Sequence, residues 1–97
     1  MNKNYSRAPV ERRVMHPGNG WQHVGGAVWE HSSGIRVHLL GMVKLPTGEI
    51  FSATTYPHWN AAQLMIRING GNRKRGLMAW AMTYNAVLSG KPPHTEL

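Results

Sequence analysis

The residues best suited to chemistry in this chain are three consecutive cations, Arg73, Lys74 and Arg75, in the segment GGNRKRG at residues 70–76. The flanking glycines permit positive φ angles and let neighbouring groups approach closely. Fixed cations beside exposed backbone N–H groups form a favourable site for an anion. The segment lacks the Gly-Lys-Ser/Thr ending of a phosphate-binding Walker loop. It therefore predicts an anion site but names no reaction.

The chain as a whole is also strongly basic. The 97 residues include 11 Lys and Arg against 4 acidic residues, and the net charge is +7. Such a balance is informative about partners rather than about fold. Nucleic acid is the commonest partner of a strongly basic domain, and an acidic protein surface is the next. The chain contains no cysteine, which excludes disulfides and thiolate metal sites.

The histidines and glutamates do not form a recognisable catalytic or metal-binding pattern. Six histidines are present, but no HExxH or H-x3-H spacing occurs. Glu30, Glu49 and a histidine would be the acid and base of a hydrolytic site, yet nothing in their spacing brings them together. We therefore predict a protein that is not an enzyme and that needs no cofactor.

An antiparallel sheet is predicted to carry part of the binding surface. Residues 21–26 are either a further short strand or an extended lead-in. Gly41 interrupts the longest strand and indicates either a bulge or a close approach to the backbone. The apolar positions of that strand alternate and share one face: Ile35, Val37, Leu39, Val43 and Leu45. The three strands expected in this meander are residues 27–31, 35–45 and 50–55.

The other face of the long predicted strand carries Arg36 and His38. We expect Trp29 of the preceding strand to lie beside them. A cation, an imidazole and an indole on one face are suited to contacting phosphates and stacking on bases. An ordinary solvent-exposed face is the alternative, because the register between strands does not follow from sequence.

A first helix is predicted at residues 59–68, with Asn60 as its cap and Gly70 as its stop. A second interpretation stays open for this segment. Residues 64–68 are apolar and precede an Asn-Gly pair, which is also typical of a strand entering a hairpin.

A second helix is predicted at residues 72–89, capped by Asn72 and ended by Gly90. This assignment places the three consecutive cations in the first helical turn. The helix dipole disfavours positive charge there by about 0.3–1 kcal/mol for each exposed cation. A sequence that tolerates this arrangement is predicted to use it for an anion.

The predicted organisation has three parts. Residues 1–20 form a basic arm that includes Arg12 and Arg13, residues 21–90 form a single domain, and residues 91–97 form a tail. The fold class is α+β, with a three-stranded antiparallel sheet followed by one or two helices on one face. No apolar run approaches the roughly 20 residues of a membrane span, and the N-terminal stretch lacks the apolar core of a signal peptide. We expect a cytoplasmic protein with no membrane partner.

The sequence thus predicts a small basic protein that binds DNA or RNA without catalysis. The arginine-lysine segment, the arm and the sheet face with Trp29, Arg36 and His38 would make the contacts. The alternative is an inhibitor or adaptor, of the kind that phages and mobile elements encode, which docks on a host protein or nucleoprotein complex. The sequence leaves the oligomeric state open.

Overall fold

A computed structural model describes residues 17–90 as an antiparallel sheet followed by two helices. This confirms the α+β class and corrects the predicted number of strands from three to five. The sheet is a meander in which each strand pairs with the next one along the chain. The elements are β1 (Trp21–Gly25), β2 (Val28–His31), β3 (Arg36–His38), β4 (Met42–Lys44), β5 (Ile50–Ser52), α1 (Trp59–Ile68) and α2 (Arg73–Leu88).

The segment predicted as one long strand, residues 35–45, consists of two short strands and a turn. Val37 pairs with Val43 across β3 and β4, and the amide of Gly41 donates to the carbonyl of His38 at 2.7 Å. Gly41 has a φ of 124°, a conformation that residues with a Cβ rarely adopt. The glycine therefore permits a reversal of the chain and not a bulge. The predicted alternative, a close approach to the backbone, is confirmed, because a Cβ built on Gly41 would lie 2.5 Å from Cγ2 of Thr54.

The buried face predicted for this segment persists through the reversal. Residues that pair across β3 and β4 are separated by an even number of positions, so side chains keep alternating as they would in an unbroken strand. The predicted apolar positions in and next to the two strands therefore reach the same face. Four of them are buried: Ile35, Val37, Val43 and Leu45.

The fifth strand comes from the segment that the sequence left open. Residues 21–25 form β1, which pairs with β2 at one edge of the sheet. The short segment before β1 is also held in place, because the amide of Ser32 donates to the carbonyl of Gly20 at 3.0 Å. Arg12 and Arg13, with the rest of the predicted arm to residue 16, lie outside the described residues, as does the tail at 91–97.

The core lies between the helices and one face of β3, β4 and β5. Burying this apolar surface is the main source of stability, and it leaves the other face of the sheet open. Along residues 17–90, no helix is both long enough and apolar enough to cross a membrane. The buried core consists of Ile35, Val37, Val43, Leu45, Phe51, Ala53, Ala62, Leu77 and Ala81.

Residues 59–68 are helical, so the alternative of a strand at 64–68 is wrong. The predicted cap is also wrong, because the N-cap residue of α1 is His58, which makes no side-chain capping hydrogen bond, and Asn60 lies inside the helix. In α2 the predicted cap is confirmed, since Oδ1 of Asn72 accepts the amide hydrogen of Arg75 at 3.0 Å.

The two helices are in close contact at Gly76, in the first part of α2. A Cβ built on Gly76 would lie 2.6 Å from the backbone nitrogen of Ile66 and would also clash with the Cα and Cγ1 of Ile66. The sequence predicts that the glycines of this segment let neighbouring groups approach closely. At Gly76 the group that approaches is the backbone of α1.

His58 belongs to a ring cluster between the sheet and α2. Its ring centroid lies 4.5 Å from that of Phe51 and 4.8 Å from that of Tyr84. The hydroxyl of Tyr84 donates to Oε2 of Glu49 at 3.2 Å. Burial, and then the hydrogen bond to Glu49 and its negative charge, raise the pKa of Tyr84 above its ordinary value of 10.0.

Replacing Gly76 by alanine tests the contact between the helices. Alanine is the better helix former by about 1 kcal/mol, but the clash involves backbone atoms that cannot rotate away, and overpacking costs about 1–3 kcal/mol or more. We expect Gly76→Ala to lower the melting temperature measured by circular dichroism. A higher melting temperature would show that helix propensity outweighs the contact.

The raised pKa of Tyr84 predicts a loss of stability in alkali. Below pH 10 the phenol is protonated in both the folded and the unfolded chain, so it adds no pH dependence. Above pH 10 it ionises first in the unfolded chain, and the free energy of unfolding falls until the folded pKa is passed. In urea titrations from pH 9 to 11, the wild type should therefore lose more stability than Tyr84→Phe. Parallel curves for the two proteins would contradict the assignment.

Candidate functional site

One end of the molecule gathers the start of α2, the β3–β4 turn and the turn of the β1–β2 hairpin. The two turns are neighbours because Val28 pairs with His38. The guanidinium of Arg73 joins α2 to them, since Nε donates to the carbonyl of Leu39 at 2.7 Å and Nη2 to that of Leu40 at 3.1 Å. We call this region the basic end and define it by His23, Trp29, Arg67, Arg73, Lys74 and Arg75.

The cations of the basic end come from both sides of the connection between the helices. Arg67 lies in the last turn of α1, where the helix dipole favours a cation. The Asn72 cap starts α2 at Arg73, so Arg73, Lys74 and Arg75 occupy its first turn as predicted. Only the geometry shows what Arg73 does: its two hydrogen bonds give it a structural role at the β3–β4 turn.

Lys74 links the cations to the outer pair of aromatic rings on the hairpin. Its ammonium nitrogen lies 4.2 Å from the ring centroid of Trp29, which is within the range of a cation–π contact. Trp29 also contacts His23 on β1, with ring centroids 5.1 Å apart and an angle of 33° between the planes. His23 is exposed and Trp29 is half-buried, so this ring pair is accessible at the surface.

A short repeat explains why aromatic rings pair across this hairpin. The tripeptide Trp-x-His occurs at residues 21–23 and again at 29–31. In the antiparallel register each tryptophan lies opposite a histidine of the other copy. The repeated tripeptide is visible in the sequence, and alternation places the Trp and His of each copy on one face. The rings of the two copies meet only because the two strands pair.

The inner pair of rings, Trp21 and His31, is fixed by backbone groups. Nε1 of Trp21 donates to the carbonyl of Pro17 at 3.2 Å. Nδ1 of His31 accepts the amide hydrogen of Ser33 at 3.1 Å, which leaves Nε2 to donate to the carbonyl of Asn19 at 2.8 Å. Trp21 also packs against the hydrophobic core. This pair therefore supports the hairpin, and the outer pair of His23 and Trp29 is the one open to a ligand.

The predicted face of Trp29, Arg36 and His38 does not form. Trp29 pairs with Val37 and Glu30 pairs with Arg36, so Trp29 lies on the helix side of the sheet. Arg36 and His38 lie on the opposite, outer face. The error arose from register, because residues on neighbouring strands share a face only if they are paired positions or lie an even number of residues from them.

The outer face satisfies its polar groups locally. Nε of Arg36 lies 3.2 Å from Oε2 of Glu30, and Lys44 lies across from Arg36 on β4. Nδ1 of His38 accepts the amide hydrogen of Leu40 at 3.1 Å. Arg36 is thus paired to a carboxylate and His38 belongs to the β3–β4 turn.

Among residues 17–90, negative charge lies away from the basic end. Residues 17–90 contain only two acidic residues, Glu30 and Glu49. Glu30 lies on the outer face, and Glu49 lies in the β4–β5 turn, at the end of the sheet opposite the β3–β4 turn. The potential at the basic end is therefore positive, and no described carboxylate neutralises it.

Neither a metal centre nor a known relative defines the site. Within the described part of the chain, no group of three His, Cys, Asp or Glu side chains is arranged to hold a metal ion. Comparison with family models, curated proteins and solved structures finds no match to this chain. Its function is therefore inferred from the contacts and charges of the basic end.

Arg73 provides a test of the balance between its hydrogen bonds and the helix dipole. Removing a first-turn cation relieves about 0.3–1 kcal/mol, whereas each bond to a carbonyl contributes about 0.5–1.5 kcal/mol. With two bonds lost, we expect Arg73→Ala to destabilise the fold by about 1 kcal/mol, or roughly 4–8 °C in melting temperature.

The variant Arg73→Lys separates geometry from charge. Lysine keeps the charge but lacks the planar fork that reaches two adjacent carbonyls, so it too should melt below the wild type. A rise in melting temperature for Arg73→Ala, with Arg73→Lys unchanged, would show that the dipole dominates.

Proposed function

We propose that this protein binds nucleic acid through the basic end and does not catalyse a reaction. The observation that carries the proposal is the contact of Lys74 with Trp29, 4.2 Å from ammonium to ring centroid. It joins a cluster of cations to an accessible aromatic ring. Nucleic acid is the polymer that offers phosphates and aromatic bases together.

The charge distribution supports a polyanion as the ligand. Four cations surround the start of α2, and both described glutamates lie elsewhere. Each phosphate that a lysine or arginine neutralises releases condensed counterions, and this release provides most of the affinity of sequence-independent binding. Arg12 and Arg13, outside the described residues, would add to the same attraction.

The cations of the basic end have different roles. Arg73 is engaged by the carbonyls of residues 39 and 40 and holds the site together. Lys74, Arg75 and Arg67 are the side chains we assign to phosphate. Such contacts position a nucleic acid without reading its sequence, so we propose a binding mode with little sequence preference.

A matched pair of double variants tests this proposal. Lys74→Gln with Arg75→Gln removes two charges from the basic end, and Arg36→Gln with Lys44→Gln removes two from the outer face. Binding of a labelled 20-nucleotide DNA or RNA is measured by anisotropy between 50 and 200 mM salt. The slope of log K against log salt should flatten by up to about 1.4–1.8 units in the first variant and stay near the wild-type value in the second.

The two variants have the same net charge, so a general charge effect would change both equally. Equal slopes for both would remove the basic end from the interface. Absence of binding by the wild type at 50 mM salt would contradict nucleic-acid binding altogether.

Docking on an acidic protein is the second candidate function. Leu64 and Ile68, one turn apart on α1, are both exposed, and Ile68 ends the helix next to the connection that carries the cations. An apolar anchor with a basic rim is suited to a protein partner. For such a partner, Leu64→Ser with Ile68→Ser would weaken capture, whereas nucleic-acid binding would be unaffected by that change.

A further inference from the structure

We infer that the ligand of the basic end is single-stranded nucleic acid, and that an unpaired base stacks on Trp29 in the place that the Lys74 ammonium occupies. This inference rests on the proposed function and specifies its ligand. It follows from the contacts of Trp29, the relative strengths of the competing interactions and the geometry of nucleic acids.

Trp29 has contacts of a kind that a base can replace or extend. The ring lies outside the hydrophobic core cluster. Its neighbours are the ammonium of Lys74 at 4.2 Å and the tilted ring of His23 at 5.1 Å. The ring of His23 is held in turn, because its Nε2 donates to the carbonyl of Gly26 at 2.7 Å. A hydrogen-bonded histidine therefore lies against the indole, and the side chain of Lys74 covers it.

The relative strengths favour the base over the lysine. A cation–π contact at an exposed site contributes about two- to fivefold to an equilibrium constant. Stacking of a base on an aromatic side chain contributes about five- to 150-fold. A base should therefore displace Lys74 from the ring. The displaced ammonium can then contact a phosphate, so Lys74 still contributes its positive charge to binding.

An unpaired base is required because the bases inside a duplex stack on both faces. A single strand can present a base to Trp29 without unstacking a helix. The inner pair of Trp21 and His31 is held by the carbonyls of residues 17 and 19 and provides support. The hairpin therefore offers one stacking position at Trp29, with cations beside it.

The first experiment compares a labelled 12-nucleotide single strand with the 12-base-pair duplex of the same sequence, at equal salt. The proteins are the wild type, Trp29→Ala, Trp29→Phe and the control Trp59→Ala. Trp59 is a suitable control because it is 45% exposed and begins α1, at the end of that helix away from the cations. Circular dichroism verifies that each variant is folded.

The wild type should bind the single strand more tightly than the duplex. Trp29→Ala should weaken single-strand binding about five- to 150-fold and leave duplex binding nearly unchanged. Trp29→Phe should keep most of the affinity, and Trp59→Ala should match the wild type. This inference would be overturned if the wild type bound the duplex as tightly as the single strand or more tightly, and if Trp29→Ala lowered the affinity for the two probes equally. The proposed function would still stand in that case. Failure of the wild type to bind either probe would overturn both.

A second measurement does not depend on the folding of Trp29→Ala. Adenosine has a base but no phosphate, so Lys74 competes with it for the ring and gives it no phosphate contact. Lys74→Ala should therefore bind adenosine about two- to fivefold more tightly than the wild type, measured by tryptophan quenching, and should bind the 12-nucleotide strand more weakly. A higher affinity for adenosine together with a lower affinity for the strand would support the exchange of Lys74 for a base. Weaker binding of both would show that Lys74 does not compete for the ring and would overturn it.

Discussion

The close contact between Gly76 and Ile66 is the constraint on which the rest of this structure depends. It lets α2 lie against α1 at a distance that a side chain would prevent. The start of α2 thereby comes within reach of the sheet, where Arg73 bonds to the β3–β4 turn. With Arg73 in that position, the next residue, Lys74, lies over Trp29. The position of the basic end thus follows from the packing of the two helices, because each of these contacts places the next.

The first turn of α2 combines an unfavourable local feature with a favourable long-range one. Three cations at a helix N-terminus oppose the helix dipole, and the Asn72 cap starts the helix there nonetheless. The bonds of Arg73 to two carbonyls and the contact of Lys74 with an indole offset this cost within the fold. Places where a local rule is broken are often functional sites, and this one also has the highest density of positive charge among the described residues.

The β1–β2 hairpin carries two ring pairs built from the same tripeptide, and the two pairs have different roles. Trp21 and His31 are tied to backbone carbonyls and packed near the core. His23 and Trp29 extend past the core to the end where the cations lie. The antiparallel pairing of two Trp-x-His segments therefore provides one ring pair that supports the hairpin and one that is accessible at the surface.

By itself the sequence determined the features that depend on near neighbours in the chain. The alternation that buries Val37 and Val43 and the capping of α2 by Asn72 were predicted because each follows from a few adjacent residues. Only the tertiary structure decided which strands pair and in what register. It split residues 35–45 at Gly41, separated Trp29 from Arg36 and joined it to Lys74. A shift of one residue in register exchanges the faces of a strand. The register depends on the conformation of each turn, which the strand pattern does not specify, and the contact of Trp29 with Lys74 depends on a helix 45 residues further along the chain.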